Sequence, residues 1–299
     1  MTHCDGLVPS YHTILILGNI KSCYIRRCLM RIPITMCHGI RTVTSPTMPN
    51  PLTVGHFDVL MKIASEMGFH SITYDQLADW RDGKVELPDR PIMIDFDHPV
   101  ASMRGQIFDT LERYRFKGNL FIYTSPYDPE YSRPLAVSFY DHMSWEEIRE
   151  LRESGWHIGA HTVSHPNLSD LSVRDPSGEI LREELDRSNS MIEENLGFRP
   201  VDFAFTGTSW SKMAEEEVKN RYRFGRLWFV GSEYQVDGHP LRVADLMGSV
   251  EEDDEDGGPP VGVRYITEDS DPYRLPSMEL QALIYHPDAF RRYLEGALI

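Results

Sequence analysis

The sequence predicts an α/β protein in which about seven parallel strands form a distorted or incomplete (β/α) barrel. Short β-type runs alternate with helical segments from residue 33 onward, and polar residues directly follow many of the β-type runs. Strand followed by helix, repeated along the chain, is typical of parallel α/β architectures. With 299 residues, 41% of them hydrophobic, the chain can bury a sizeable core.

Short runs rich in apolar and β-branched residues predict the strands. Their length, and their boundaries at glycine, proline and polar residues, favour strands over helices. The predicted strands cover residues 34–37, 91–96, 119–123, 156–160, 202–205, 226–230 and 282–285.

Helical spacing of apolar residues, together with capping residues, predicts the helices that follow these strands. Ser144 with Glu147 forms a capping box, and glycines follow several of the helical segments as C-terminal caps. The predicted helices cover residues 53–68, 102–116, 144–155, 177–197 and 211–221.

The domain organisation follows from where this alternation begins. We interpret residues 1–30 as an N-terminal extension of doubtful structure and residues 31–299 as a single catalytic domain. All four cysteines lie within the first 37 residues, so disulfides cannot cross-link the body of the fold, and reduced thiols are expected. Within the domain, residues 251–260 combine an acidic run with glycine and proline. A solvated loop is expected there, the alternative being a lid over the substrate.

The charge of the chain argues against some classes of partner. A formal net charge of −16 arises from 30 basic and 46 acidic residues, whereas phosphate binding depends on clustered lysine and arginine. We therefore expect neither nucleic acid nor a membrane as a partner. No window reaches the ~20 apolar residues of a membrane span. The apolar run at 14–17 lacks the features of a signal peptide, so a cytoplasmic location is expected.

Polar residues with catalytic or metal-binding chemistry collect at the ends of the predicted strands. In parallel α/β barrels the carboxyl ends of the strands surround one site. Five of the twelve histidines occupy such ends. The polar residues in these positions, together with one glycine, are His38, Asp97, His98, His161, His165, Thr206, Gly207 and His286.

Three of these histidines predict a metal site. His161 and His165 are four residues apart, which brings both imidazoles together on one helical turn or on a bent loop. On its own this spacing also fits two surface histidines, but His98 at another strand end offers a third ligand. Three histidines with an open position describe a hydrolytic zinc site. We therefore expect one divalent transition metal, with zinc favoured and nickel or cobalt as alternatives.

Asp97 and His286 are the candidate acid–base residues. A metal lowers the pKa of a bound water, and the neighbouring carboxylate of Asp97 can accept the proton as water attacks a carbonyl. His286, at the end of the last predicted strand, is a candidate acid for the leaving amine, although a structural histidine is the alternative. Asp95 is interpreted as a polar partner near the strand end.

With these residues identified, the sequence resembles the polysaccharide deacetylases, the NodB-homology enzymes of carbohydrate esterase family four. The resemblance covers residues 32–286. "IPITMCHGI" resembles the family's first-strand motif, "DFDH" its "TFDDG" motif, "HIGAHTVSHPNLSDL" its metal-binding motif and "FAFTG" the motif that lines its groove.

The resemblance implies a NodB-like barrel and metal-dependent removal of an acetyl or similar acyl group from the nitrogen of an amino sugar or oligosaccharide. It places the general base at Asp97, two metal ligands at His161 and His165, and the acid at His286. Substrate-binding residues then fall on Thr206 and Gly207, which line the groove, and on Arg242, which matches the arginine that orients the base.

The sequence departs from the family pattern at three of these positions. His98 replaces the family's metal-binding aspartate, Pro99 its glycine, and Thr206 its proline. His98 can be read as a changed metal ligand or as a sign of metal loss. Two other functions therefore stay open: allantoinase-like hydrolysis of a cyclic amide or another non-peptide C–N bond, and a non-catalytic glycan-binding role. The oligomeric state is not predicted.

Overall fold

The structure, a computed structural model, describes residues 29–130 and 141–298. Almost all of the predicted extension 1–30 lies outside the described residues, as do three of the four cysteines. Cys37 is described, and it is a buried free thiol at the end of the first strand.

The described residues contain twelve strands and nine α-helices. The strands are β1 (Ile32–Cys37), β2 (His70–Ser71), β3 (Pro91–Asp97), β4 (Asn119–Ile122), β5 (His157–Ala160), β6 (Asp202–Ala204), β7 (Ser209–Trp210), β8 (Phe224–Phe229), β9 (Glu233–Val236), β10 (His239–Arg242), β11 (Tyr265–Ile266) and β12 (Leu275–Glu279). The helices are α1 (Val54–Glu66), α2 (Tyr74–Arg81), α3 (Gln106–Arg113), α4 (Trp145–Glu153), α5 (Leu168–Arg174), α6 (Glu179–Leu196), α7 (Lys212–Lys219), α8 (Val243–Leu246) and α9 (Pro287–Glu295).

Seven of these strands form a closed parallel barrel, in the order β1, β12, β8, β6, β5, β4, β3 and back to β1. Pairing between β1 and β3, from Ile34 opposite Met93 to Cys37 opposite Phe96, completes the ring. The predicted (β/α) barrel of parallel strands is confirmed, and among the described strands the ring is complete. At the opposite end from the predicted site, β2 pairs with the start of β3 and β11 with the start of β1.

Burial explains why most of the strands could be predicted. Every residue of the seven barrel strands is buried. Helices cover the outside of the barrel, so these strands are apolar on both faces and appear in the sequence as short continuous apolar runs. The predictions at 34–37, 91–96, 119–123, 156–160, 202–205 and 226–230 each overlap a barrel strand.

The structure corrects the predicted position of the last barrel strand. The prediction of a strand at 282–285 is wrong, because the seventh barrel strand is β12, which ends at Glu279. Residues 282–285 lie in the turns before α9. The sequence did not predict β12 because the strand carries Pro276, Ser277 and Glu279 and so lacks a continuous apolar run. The side chains of Ser277 and Glu279 are buried and bind polar partners inside the fold.

The predicted helix boundaries are largely reproduced. Thr53 caps α1 by accepting a hydrogen bond from the backbone N–H of His56, and the capping box of Ser144 and Glu147 is present at the start of α4. The predicted helix 102–116 is divided into a short 3₁₀ turn, Ala101–Met103, and α3. None of the helices in the described ranges is both long enough and apolar enough to cross a bilayer.

A small sheet of β7, β9 and β10, which the sequence did not predict, supports the mouth of the barrel. Tyr234 on β9 is buried, and its hydroxyl donates to the carbonyl of Gly207 at 3.2 Å. The same hydroxyl accepts from the backbone N–H of Trp228 at 3.2 Å. This one side chain therefore ties the segment after β6 to the end of β8.

Candidate active site

Three histidines meet at the carboxyl ends of the barrel strands. His98 follows β3, and His161 and His165 follow β5. One ring nitrogen from each lies within 4.8 Å of the other two. The ring centroids are 4.8 Å apart for His161 and His165, 4.9 Å for His98 and His165, and 5.6 Å for His98 and His161. The structure thus brings together the three residues predicted as metal ligands.

The ring nitrogens of this cluster fit a bound cation. Both nitrogens of His98 and Nε2 of His161 are buried, with no hydrogen-bond partner among the described residues. Nδ1 of His161 lies 2.8 Å from the carbonyl oxygen of Ala204, which leaves Nε2 facing the cluster. Buried polar atoms without partners are costly, and a shared metal ion would satisfy Nε2 of His161 and one of the two nitrogens of His98. An all-imidazole set suits zinc and other late transition metals.

Burial also keeps these imidazoles in the form that binds metal. Burial is the largest cause that lowers the pKa of all three histidines, and the neighbouring histidines add to it. The pKa falls to about 4 for His161 and to about 3 for His165, and that of His98 falls well below its usual value. Neutral imidazole is the ligand form, so no proton has to be displaced near neutral pH.

The backbone around the cluster is unusual. His98, Thr162 and His165 have positive φ angles of 73°, 67° and 56°. Left-handed backbone is uncommon for residues other than glycine, and such residues concentrate at functional sites. Three of the five positive-φ residues other than glycine in the described ranges thus lie in or beside the histidine cluster.

Asp97, the predicted base, is paired with Arg226. Both side chains are buried, and Nη2 of Arg226 donates to Oδ1 of Asp97. The other carboxylate oxygen lies 3.9 Å from Nε2 of His161. Burial alone would raise the pKa of Asp97, but Arg226, His161 and His38 outweigh burial and hold it below its usual value. Asp97 is therefore an ionised carboxylate beside the cluster.

Asp95 lies two residues before Asp97 on β3, on the same face of the strand, and also contacts Arg226. Its carboxylate accepts hydrogen bonds from the hydroxyl of Tyr74 at 2.6 Å and from Nδ2 of Asn119 at 2.9 Å. Nε of Arg226 is 3.5 Å away. Burial raises the pKa of Asp95 to about 6, against the opposing effect of Arg226.

A fourth histidine, His38, stands on the other side of the cluster. It follows β1, it is 5% exposed, and its ring centroid lies 4.7 Å from that of His98. Nδ1 of His38 is 3.4 Å from Oε2 of Glu279, which also accepts a hydrogen bond from Nε1 of Trp228 at 2.8 Å. The sequence placed His38 at a strand end but gave it no role. Its proximity to His98 became visible only when β1 and β3 were paired.

The other predicted site residues are distributed around the mouth and the surface. Thr206 is buried, and its hydroxyl donates to the carbonyl of Pro166 beside the histidine loop. Gly207 follows it with a φ of 61°. His286 is exposed at the start of α9, and its ring packs edge-on against Tyr285.

Arg242 does not hold the predicted base. Its guanidinium is 41% exposed and pairs with Asp245 at 2.9 Å, whereas the arginine bound to Asp97 is Arg226. In the acidic loop, Arg264 pairs with Asp254 and Asp256 at 3.2 and 2.7 Å.

Comparison with known proteins agrees with the fold and with the motifs. Residues 84–223 match the family model described as polysaccharide deacetylase. The resemblance to the polysaccharide deacetylases is confirmed over these residues. The matched region contains Asp97 and the three clustered histidines, whereas His38 and Arg226 lie outside it.

Among curated proteins, the chain matches YxkH of Bacillus subtilis (strain 168), which carries a polysaccharide deacetylase name. The two are 20% identical over 150 residues, which is 50% of this chain. The match spans 49% of YxkH, about half of that relative's length.

Two solved structures share the fold over most of this chain. The Streptococcus pyogenes deacetylase PplD, determined in complex with acetate, matches with a TM-score of 0.62 and 15% identity, covering 88% of this chain and 98% of PplD. IcaB from Ammonifex degensii matches with a TM-score of 0.62 and 15% identity, covering 90% of this chain and 98% of IcaB. At this level of identity the likeness establishes the fold.

Proposed function

We propose that this protein is a metal-dependent hydrolase that removes an acetyl or similar acyl group from the nitrogen of an N-acylated amino sugar or oligosaccharide. The observation that carries the proposal is the cluster of His98, His161 and His165 beside the ionised carboxylate of Asp97. Both ring nitrogens of His98 and Nε2 of His161 are buried there without a hydrogen-bond partner among the described residues. The match of residues 84–223 to the polysaccharide deacetylase family model supports the reaction class.

His98, His161 and His165 would hold the metal, with zinc favoured and nickel or cobalt as alternatives. A divalent metal in this position supplies a Lewis acid that polarises the acyl carbonyl and lowers the pKa of water. The close approach of the three imidazoles, with unpartnered nitrogens on His98 and His161 among the described residues, favours a changed ligand set, with His98 in place of a carboxylate, over a site that has lost its metal.

The residues of the chain supply the proton transfers. Asp97 accepts a proton from the attacking water, and Arg226 keeps this carboxylate ionised and fixed in place. The leaving nitrogen needs a proton, and we assign this donor to His38. Its buried ring has its centroid 4.7 Å from that of His98, and its Nδ1 lies 3.4 Å from the carboxylate of Glu279. His286, the donor predicted from sequence, is exposed and has less support.

The substrate groove is proposed to run past the end of β6. Thr206 and Gly207 lie there, next to the loop that carries His161 and His165, and Tyr234 fixes the carbonyl of Gly207. Backbone N–H groups in this segment are the proposed donors to the developing oxyanion. A contact between Arg242 and substrate stays a prediction.

Acetate release from N-acetylglucosamine oligomers tests the proposal. The protein is stripped of metal, reloaded with zinc, and compared with His161→Ala and with the control His70→Ala, an exposed histidine on β2. We expect the wild type and the control to release acetate and the His161 variant to lose this activity. Equal release by the His161 variant would contradict the proposal, as would a wild type that opens a cyclic amide but releases no acetate.

A further inference from the structure

One buried carboxylate binds the backbone between the two histidines of the H-x-x-x-H motif. Glu184 lies in the middle of α6 and is 1% exposed. Its Oε2 accepts hydrogen bonds from the backbone N–H groups of Val163 at 2.9 Å and Ser164 at 2.8 Å. Its Oε1 accepts from the hydroxyl of Ser164. Three donors from two consecutive residues thus converge on one side chain.

The bound segment resembles an anion-binding turn, because two successive backbone N–H groups converge on one carboxylate oxygen. Thr162 and His165, on either side of these two residues, have left-handed φ angles. Successive N–H groups in such a turn point into one concavity that suits an anion. Here the anion comes from the chain itself, since the carboxylate of Glu184 fills the concavity from a neighbouring helix.

The turn is also held from its other side. Backbone N–H groups of Thr124 and Ser125, after β4, donate to the carbonyls of Thr162 and Val163 at 3.2 and 2.9 Å. The hydroxyl of Thr162 accepts from the backbone N–H of His165 at 3.0 Å. Without Glu184, the buried N–H of Val163 and the partly buried N–H of Ser164 would lose their acceptor, and the turn would have to rearrange to recover one.

We propose that Glu184 is a positioning residue for the metal site: it fixes the turn between His161 and His165 and thereby sets where the His165 ring stands relative to His161 and His98. This inference rests on the proposed function, because its consequence is a tighter metal complex. Partners that orient metal ligands typically account for about 10- to 100-fold in metal affinity.

Zinc affinity, measured by competition with a chromophoric chelator, tests the role of Glu184. The variants are Glu184→Gln, which keeps the size but replaces one acceptor oxygen with a donor group, and Asp202→Asn as a matched control. Asp202 is also a fully buried carboxylate, but it binds Arg223 at the opposite end of the barrel. Thermal unfolding of both metal-free variants records their loss of stability separately.

We expect Glu184→Gln to weaken zinc binding by about 10- to 100-fold, while Asp202→Asn loses stability but keeps the wild-type dissociation constant. If Glu184→Gln does not fold, Ser164→Ala removes one of the three hydrogen bonds and is expected to weaken zinc binding by less than about 10-fold. If Glu184→Gln binds zinc with wild-type affinity, the inference is wrong while the proposed function stands. The same holds for Ser164→Ala when that variant is needed. A wild-type protein that binds no zinc overturns it together with the proposed function.

Discussion

Arg226 and Asp97 form an ion pair inside the barrel, with side-chain exposures of 0% and 3%. The arginine comes from β8 and the aspartate from β3, 129 residues earlier, so the pair spans the barrel interior. Asp95 also contacts this arginine, and one guanidinium therefore serves two buried carboxylates. The pair fixes both the charge and the place of the proposed base.

Arg226→Met should destabilise the protein and change its pH dependence. It leaves two carboxylates buried without their cation, and breaking a buried pair costs about 3–5 kcal/mol of the free energy of unfolding. Because Arg226 lowers the pKa of Asp97, its removal raises that pKa and moves the acidic limb of the kcat/KM profile to higher pH. Urea denaturation and a pH–rate profile measure the two effects. An acidic limb at its wild-type position would show that Asp97 is not the titrating base.

Asp97→Asn should separate catalysis from metal binding. The change removes the proton acceptor but none of the three clustered imidazoles, so we expect kcat to fall by about 10²- to 10⁴-fold while zinc binding persists. Steady-state kinetics and a zinc titration on the same preparation check both statements. Loss of zinc from this variant would mean that Asp97 is itself a ligand.

The proton donor can be identified by comparing two histidine variants. His38→Gln removes the buried ring beside His98 and should lower kcat by about 10²- to 10⁴-fold. His286→Gln changes an exposed side chain and should leave kcat unchanged. Kinetics of both variants with the same N-acetylated oligosaccharide decide between them. The reverse result would restore the assignment of His286.

At the other end of the barrel, His157 should make stability depend on pH. Its Nε2 lies 3.1 Å from Asp202 and its Nδ1 3.8 Å from Asp75. Burial lowers the pKa of His157, but the adjacent carboxylates of Asp202 and Asp75 outweigh burial and raise it to about 9 from 6.5. The protonated ring therefore stabilises the fold fully below about pH 6.5, and this contribution is lost as pH rises through about 9.

The rise in the pKa of His157 from 6.5 to about 9 corresponds to roughly 3 kcal/mol of the free energy of unfolding. Denaturation of the wild type and of His157→Gln at about pH 6 and about pH 10 measures it. We expect the advantage of the wild type to shrink at the higher pH. The same advantage at both values would show that His157 is neutral in the folded protein.

The sequence indicated the proposed ligands and the proposed base because these residues lie at the ends of strands or in the segments that follow them. It did not reveal Arg226, Glu279 and Glu184, because each lies within an element and reaches the site only through the tertiary fold. One signal was available in β12: Ser277 and Glu279 alternate along the strand, as side chains facing the same side of a strand must. The same alternation of polar residues also occurs in exposed loops, so it could not identify a strand by itself.

The arginine that binds Asp97 shows a second reason why part of the site could not be predicted from the sequence. The family resemblance assigns the base-orienting role to Arg242, yet this residue lies at the end of β10 in the small sheet and pairs with Asp245. Arg226 lies within a barrel strand, where a buried charge is unexpected unless a partner is known. Its partners, Asp95 and Asp97, are more than 120 residues away in sequence and become neighbours only when the barrel closes.

The most direct test of the account is the metal content of the purified protein, measured by elemental analysis after zinc is supplied and excess zinc removed. The wild type is compared with His98→Ala and with His98→Asp, which restores the carboxylate of the family motif. We predict about one metal ion per chain in the wild type and in His98→Asp, and loss of the metal in His98→Ala. A wild type that stays free of metal, or a His98→Ala variant that retains it fully, would contradict the three-histidine site.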